Sequence, residues 1–133
     1  MSTHAKKAMP ILGCLLRALT VMPLASSATL VHADTFLDGA YGNKEGCAYA
    51  RTGESSGADV FFLLNAEGIT TATAFCAFKD RPMTTAGGFK IKTQCESEGE
   101  SGAVETVDLT KSARGYIIAF KDGTRWGPLP KCR

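Results

Sequence analysis

The feature that most constrains the fold of this chain is an unbroken alternation of residue types from Gly88 to Glu96, which reads GFKIKTQCE. One set of alternate positions is apolar or small (Phe89, Ile91, Thr93, Cys95), and the other set is charged or polar. Because successive side chains of a β-strand point to opposite faces, the pattern predicts a strand with one buried and one solvated face. The cysteine in the buried set predicts that this strand is tied covalently to another part of the chain.

Other short segments with strand-like composition follow one another along the chain, separated by turn residues. They are Cys47–Arg51, Val60–Leu64, Ile69–Phe78, Val104–Leu109, Tyr116–Phe120 and Arg125–Trp126. Asp122-Gly123 is a strong signal for a two-residue hairpin turn, and no window has convincing helical periodicity. About seven short strands therefore predict an all-β domain, a small antiparallel meander that closes into a disulfide-stabilised barrel or sandwich.

The first third of the chain differs in composition from the rest. Met1–Ala33 contains no Asp or Glu, carries three basic residues and is mostly apolar from Ile11 to Leu24. This composition predicts a secretory signal peptide over residues 1–33, cleaved before Asp34, and a single exported β domain over residues 34–133. We therefore expect a periplasmic or secreted protein with no membrane span after processing.

Net charge and histidine content bear on the classes of function. The full sequence carries a net charge of +2, but without Lys6, Lys7 and Arg17 its 15 basic residues fall to 12 against 13 acidic ones, a net charge of −1. A nucleic-acid partner is not expected, because such binding needs basic residues clustered on a surface. Both histidines, His4 and His32, precede Asp34, which excludes His-dependent nucleophilic catalysis and His-ligated metal centres in the exported domain. We expect a protein that is not an enzyme, with no catalytic residue, metal site or cofactor.

Four cysteines remain in the predicted exported domain: Cys47, Cys76, Cys95 and Cys132. They lack the close pairs of a zinc site, so their even number predicts two disulfides. If each turn reverses the chain about its midpoint, Cys76 lies level with Lys90, several positions out of register with Cys95 and too far from it for a bond. The favoured pairing is Cys47–Cys95 with Cys76–Cys132, and a register error of two residues would restore Cys47–Cys76 with Cys95–Cys132.

Two groups of polar and aromatic residues are candidates for function. Glu96, Glu98 and Glu100 alternate at a predicted hairpin end, where a solvated rim is expected rather than a catalytic carboxylate pair or a calcium site. Tyr116 and Trp126 border turns, near Arg114 and Arg125, and these residue types dominate protein-binding hot spots. The competing interpretation of Trp126 is that it covers the core.

The segment Ser112-Ala113-Arg114-Gly115-Tyr116 resembles a motif of the Gram-negative envelope inhibitors of C-type lysozyme (MliC/PliC-like), which carry Ser-Gly-x-x-Tyr on a loop that enters the lysozyme cleft. Ser112 and Tyr116 match in type and spacing, whereas Ala113 stands where the motif has Gly and Gly115 is displaced by two. Ser56-Gly57 is a second partial match, with Val60 in place of Tyr. The resemblance implies a small exported β-barrel whose partner is a lysozyme.

These observations lead to one leading hypothesis of function and one alternative. The leading hypothesis is a non-enzymatic exported β domain that binds another protein through Ser112, Arg114, Tyr116, Arg125 and Trp126, with a C-type lysozyme as the most concrete partner. The alternative is an envelope protein that binds a small ligand or calcium.

Overall fold

The computed structural model describes residues 35–133, which form nine β-strands and one α-helix. The predicted signal peptide over residues 1–33 and Asp34 lie outside the described residues. In chain order the elements are β1 (Tyr41–Gly42), α1 (Lys44–Thr52), β2 (Phe62–Leu64), β3 (Gly68–Thr71), β4 (Ala74–Phe78), β5 (Met83–Thr85), β6 (Gly88–Ser97), β7 (Glu100–Ser112), β8 (Gly115–Ala119) and β9 (Arg125–Leu129).

The strands form one antiparallel sheet that is nearly closed into a barrel, which confirms the predicted all-β fold. Strands follow the order β1-β2-β3-β4-β6-β7-β8-β9, and β5 pairs with the first part of β6. The two ends of this order meet where Tyr41 pairs with Lys131. Beside that bridge the Gly42 N–H donates to the Pro130 carbonyl at 2.9 Å, and the Cys132 N–H donates to the Ala40 carbonyl at 2.8 Å. Residues 130–132 therefore close the sheet.

The alternation that predicted β6 is confirmed by burial and by the contacts of its polar face. Ile91 and Thr93 are buried, and Thr93 donates a hydrogen bond from its hydroxyl to the Ala77 carbonyl at 3.0 Å. Lys90 and Lys92 are exposed and lie within ion-pair distance of two aspartates of neighbouring segments. The rest of the core comes from Leu37, which precedes β1, and from residues of most other strands: Tyr41, Leu64, Ile69, Cys76, Val107, Leu109, Tyr116, Ile118 and Leu129.

Two segments differ from their predicted strands. Ile69–Phe78 forms two strands, β3 and β4, because the chain reverses between Thr71 and Ala74. There the Thr71 hydroxyl oxygen accepts a hydrogen bond from the Ala74 N–H at 3.0 Å and stabilises the turn. This division, together with β1 and β5, adds three strands to the seven predicted, and the loss of the predicted strand Cys47–Arg51 brings the count to nine.

The predicted strand Cys47–Arg51 is instead part of α1. The Asn43 side-chain oxygen accepts a hydrogen bond from the Gly46 N–H at 2.9 Å and so caps the helix N-terminus. Gly53 ends the helix in the left-handed conformation, with φ of 71°, and donates its N–H to the Tyr49 carbonyl. Asparagine and glycine are favoured at these two cap positions, so the caps explain why this segment is helical.

The predicted disulfide pairing is wrong. The bonds join Cys47 to Cys132 and Cys76 to Cys95, with Cα–Cα distances of 5.3 and 3.8 Å. Cys76 lies directly opposite Cys95 in the register of β4 with β6. The physical reason is the position of the chain reversal: β5 continues alongside β6 in the direction of β4, and the turn comes at Ala86–Gly87 rather than midway along Lys79–Gly87. Two disulfides in a chain of this size indicate an oxidising compartment.

The β6–β7 hairpin extends beyond the end of the β8–β9 hairpin. β7 has 13 residues, and only its last five, Asp108–Ser112, pair with β8. Glu100–Val104 are all exposed, so neither face of this part of β7 is covered. The tip is a two-residue turn in which Glu98 and Gly99 both have positive φ, 52° and 82°, as a tight hairpin with the twist of its strands requires. The bond between Cys76 and Cys95 ties this projecting hairpin to β4.

Within residues 35–133, no helix is both long enough and apolar enough to cross a membrane.

Candidate functional site

An open groove of about 1010 Å³ lies beside the turn that joins β7 to β8. Three segments line most of it: the start of α1 with the residues before it, the β7–β8 turn and the segment after β9. Five basic residues line the groove, namely Lys44, Lys111, Arg114, Lys131 and Arg133, and among the described lining residues Asp38 is the one with an acidic side chain. The N-terminus of α1 adds further positive potential through its aligned peptide dipoles. The groove is therefore cationic, although the sequence of residues 34–133 has a net charge of −1.

Asp38 joins the N-terminal segment to the segment that closes the barrel. Its carboxylate accepts a hydrogen bond from the Tyr41 hydroxyl and another from the Lys131 ammonium at 2.9 Å. These two hydrogen bonds stabilise the ionised carboxylate and lower the pKa of Asp38 to about 2. One of the five groove cations is thus neutralised locally, and Lys44, Lys111, Arg114 and Arg133 form no ion pair within the described residues.

Two tyrosines in edge-to-face contact lie beneath this part of the groove. The rings of Tyr41 and Tyr116 meet edge to face, with centroids 4.7 Å apart and planes at 90°. Burial, and then the hydrogen bond to Asp38, raise the pKa of Tyr41 to about 12, and burial also raises the pKa of Tyr116. The Lys111 ammonium lies 5.9 Å from the Tyr116 ring centroid, within the range of a cation–π contact. The tyrosines therefore support Lys111 and Asp38 from below.

The β7–β8 turn is held by hydrogen bonds of its own first residue. The Ser112 hydroxyl donates to the Gly115 carbonyl at 2.9 Å and accepts from the Arg114 N–H at 3.3 Å. Gly115 has φ of 124°, and a Cβ atom at this position would lie 1.8 Å from the Leu129 carbonyl oxygen, so only glycine fits. Arg114 is exposed at the end of this ordered turn. Its guanidinium is consequently presented from a short, well-defined backbone.

The five predicted binding residues do not form one surface. Ser112 and Arg114 line the groove. Tyr116 has 4 % of its surface exposed, so its role is to pack beneath Lys111 rather than to offer a ring to a partner. Arg125 and Trp126 lie on β9 opposite Ala119 and Ile118, at the far end of the β8–β9 hairpin from Gly115.

Trp126 packs against the core. Its ring lies 4.6 Å from that of Phe120 and 5.3 Å from that of Phe62, measured between centroids. This packing agrees with the interpretation in which Trp126 covers the core. Arg125 beside it is exposed.

The groove also contains Lys111, at the start of the predicted turn segment that carries Ser112 and Arg114, and residues that were not predicted: Asp38, Tyr41, Lys44, Lys131 and Arg133. Asp38 and Tyr41 lie in a segment that reads as an irregular lead-in to the first strand, and the last two are close to the end of the sequence. The signal that relates these segments is the Cys47–Cys132 bond, which brings the residues around Cys47 next to those around Cys132. With the wrong disulfide pairing, sequence reasoning could not bring them together.

A second, smaller groove of about 600 Å³ adjoins Asp38 and Lys111 on their other side. Its remaining lining includes the rings of Phe36 and Phe89, which pack edge to face with centroids 5.1 Å apart. Asp38 and Lys111 thus line both grooves.

The glutamates at the other end of β7 are exposed, as expected of a solvated rim. Glu96 accepts a hydrogen bond from the Ser101 hydroxyl at 3.1 Å, and Glu98 and Glu100 flank the hairpin tip. No cluster of three or more His, Cys, Asp or Glu side chains suited to a metal ion occurs among residues 35–133.

The fold and the groove define a class: a two-disulfide antiparallel β-barrel with a cationic groove beside the β7–β8 turn. No family model, no curated protein and no solved structure matches this chain.

Proposed function

We propose that this chain is a non-enzymatic exported protein that binds another protein through the β7–β8 turn and the cationic groove beside it. The single observation that carries the proposal is Arg114, exposed at the end of a turn that Ser112 and Gly115 hold in one conformation. Because the backbone of this turn is already ordered, binding does not have to order it, and the planar guanidinium of Arg114 can form paired hydrogen bonds with a carboxylate.

The charges of the groove indicate what the partner presents. Lys44, Lys111 and Arg133 line the same groove as Arg114, and Asp38 is already engaged by Lys131. A complementary surface therefore carries carboxylates, and attraction between the two surfaces would speed their encounter at low ionic strength. The predicted periplasmic or secreted location would give this domain access to envelope and extracellular proteins.

The most concrete partner is a C-type lysozyme. The resemblance at Ser112 and Tyr116 suggests it, and lysozyme hydrolyses glycosidic bonds with two carboxyl groups that flank the scissile bond. A projecting Arg114 supported by Lys111 is complementary to such a pair. In this arrangement Tyr116 contributes by holding the turn and Lys111 in place, since its own ring is buried.

The test is the rate at which a C-type lysozyme clears a suspension of bacterial cell walls, with and without the purified protein. We expect the wild type to inhibit lysis, and Arg114→Glu to raise the concentration for half inhibition at least about tenfold, equivalent to about 1.4 kcal/mol. Arg81→Glu makes the same change of charge at an exposed position in the loop between β4 and β5, away from the groove lining. It is expected to inhibit like the wild type.

Undiminished lysis in the presence of the wild-type protein would overturn the lysozyme form of the proposal. Equal loss of inhibition in the two variants would instead show that net charge matters and that the turn does not.

A further inference from the structure

The projecting part of β7 has a free backbone edge. The register of β7 with β8 begins at Asp108, so the residues from Glu100 to Val107 have no strand of the described chain on the side away from β6. An unpaired edge of a sheet presents N–H and C=O groups that can pair with a further strand. The segment contains no proline and no lysine, the residues that most often block such edges.

The hydrogen bonds between β6 and β7 fix the direction of the backbone N–H and C=O groups along β7. The Lys111 N–H donates to the Gly87 carbonyl, on the β6 side. Because backbone groups alternate in direction along an antiparallel strand, odd-numbered residues in this part of β7 face β6 and even-numbered ones face away. Val104 and Thr106 therefore direct their N–H and C=O groups to the open side. Before Val104 the register shifts, and the Gly102 carbonyl accepts a hydrogen bond from the Gln94 side chain at 3.0 Å.

The charges of the side chains around this edge determine which kind of partner strand fits it. Lys92, which lies opposite Thr106 on β6, is paired with Asp80, and Asp108 is paired with Lys90. Four glutamates near the edge form no ion pair within the described residues, namely Glu96, Glu98, Glu100 and Glu105. Two such edges from two copies of the chain would bring like charges together, whereas a basic strand would find opposite charges on both sides of its backbone. Val104, with 52 % of its surface exposed, supplies an apolar contact on the outer face of the sheet.

We propose that the open edge of β7 at Val104 and Thr106 binds an extended, basic segment of a partner protein by adding it to the sheet as a strand. Such strand addition takes its affinity from main-chain hydrogen bonds and its specificity from the flanking side chains. The Cys76–Cys95 bond joins β6 to β4, its neighbour on the side away from β7, so the edge is presented from a constrained sheet. This site does not depend on the proposed role of the cationic groove, which lies at the other end of β7.

The test uses a synthetic peptide of alternating lysine and valine, blocked at both ends, as the probe. Titration followed by fluorescence anisotropy of the labelled peptide is expected to show binding that weakens with ionic strength. A peptide of alternating glutamate and valine is expected not to bind, and the lysine peptide with a central proline is expected to bind at least tenfold more weakly. Equal binding of the lysine peptide and its proline form would overturn strand addition.

The matched variants are Thr106→Pro and Thr106→Val. Proline removes the outward N–H, which the protein itself does not use, and proline is tolerated on edge strands where the N–H faces solvent. Valine keeps this N–H. We expect Thr106→Pro to lose at least tenfold in affinity and Thr106→Val to bind like the wild type, while equal binding by both variants would overturn the proposal.

A measurement on the wild type tests the proposal even if the proline variant does not fold. Addition of the peptide is expected to slow hydrogen exchange of the Val104 and Thr106 amides at least tenfold, and unchanged exchange at both amides would contradict strand addition. Size-exclusion chromatography with light scattering completes the test. The proposal of a basic partner would be overturned if the wild type were a dimer that does not bind the peptide and if Thr106→Pro were a monomer. That result would show that the edge pairs with a second copy of the chain.

Discussion

The Lys131 ammonium lies 2.9 Å from the Asp38 carboxylate although 93 positions separate the two residues in sequence. This ion pair, the backbone bridge between Tyr41 and Lys131 and the Cys47–Cys132 bond all join the first and last segments of the barrel. The same segments form two of the walls of the cationic groove. Groove and barrel closure therefore depend on the same contacts.

The first prediction concerns stability in acid. The pKa of Asp38, lowered from 3.8 to about 2 by the hydrogen bonds from Tyr41 and Lys131, lies below its value in the unfolded chain. Its contribution to stability is therefore complete above the unfolded value and is lost as pH falls from about 4 to about 2. We expect the difference in denaturant midpoint between wild type and Asp38→Asn to shrink over this range. Urea unfolding at a series of pH values measures it, and a constant difference would contradict the assignment.

A second prediction concerns stability in alkali. The pKa of Tyr41 is raised from 10.0 to about 12, by burial and then by the hydrogen bond to Asp38, so the folded state favours the protonated phenol. The contribution is complete below pH 10 and is lost as pH rises towards 12. Tyr41→Phe cannot ionise, and its denaturant midpoint is expected to depend less on pH in this window. If both proteins lose stability in parallel, the titration belongs to other groups.

A third prediction compares the cost of alanine substitution at two glycines with positive φ, Gly115 and Gly99. Gly115→Ala would place a Cβ atom 1.8 Å from the Leu129 carbonyl oxygen, whereas Gly99→Ala meets nothing within 4 Å. We expect Gly99→Ala to cost about 1 to 2 kcal/mol, the cost of a left-handed conformation in a residue with a Cβ atom. Gly115→Ala should cost clearly more, because β8 and β9 must also separate. Urea denaturation of both variants measures the loss of unfolding free energy in each. Equal losses would show that the backbone around Leu129 shifts without cost to accommodate the Cβ atom.

The disulfides provide a fourth prediction. Cys47–Cys132 spans 85 positions and Cys76–Cys95 spans 19, so loop entropy predicts contributions of about 4.5 and about 3 kcal/mol respectively. Paired serine substitutions at each bond, followed by urea denaturation, compare the two. Peptide mapping of the non-reduced protein by mass spectrometry checks the connectivity itself, and a Cys47–Cys95 peptide would refute it.

Sequence patterns predicted local structure well where one face of a strand is buried. The alternation in β6 placed Ile91 and Thr93 inside. Asp122-Gly123 correctly indicated a hairpin between β8 and β9, but not the two-residue turn, because Phe120 pairs with Thr124 around a three-residue loop. The same reasoning failed on α1, because nine residues make too few turns for periodicity to be visible. Only its caps, Asn43 and Gly53, carried the helical signal.

Long-range pairing was harder to predict because it depends on where turns reverse the chain. An interrupted strand, β4 followed by β5, moved the reversal to Ala86–Gly87 and brought Cys76 opposite Cys95. With that pairing known, Cys47 and Cys132 would have been left to each other, and the groove between them would have followed. Arg114 could be predicted from the sequence because it lies on a local turn, whereas Asp38 and Lys131 could not.

Closure of the barrel by residues 130–132 also bears on how the chain folds. The hairpins of β6, β7, β8 and β9 need only neighbouring residues and can form early, but the bridge from Tyr41 to Lys131 must bring together distant parts of the chain. Contacts of such long sequence separation are slow to form, because loop closure costs entropy before any contact repays it. In refolding from the reduced chain, in which Cys47–Cys132 does not yet hold the two segments together, the kinetics should therefore show a framework of hairpins first, with the groove appearing in the last and rate-limiting step.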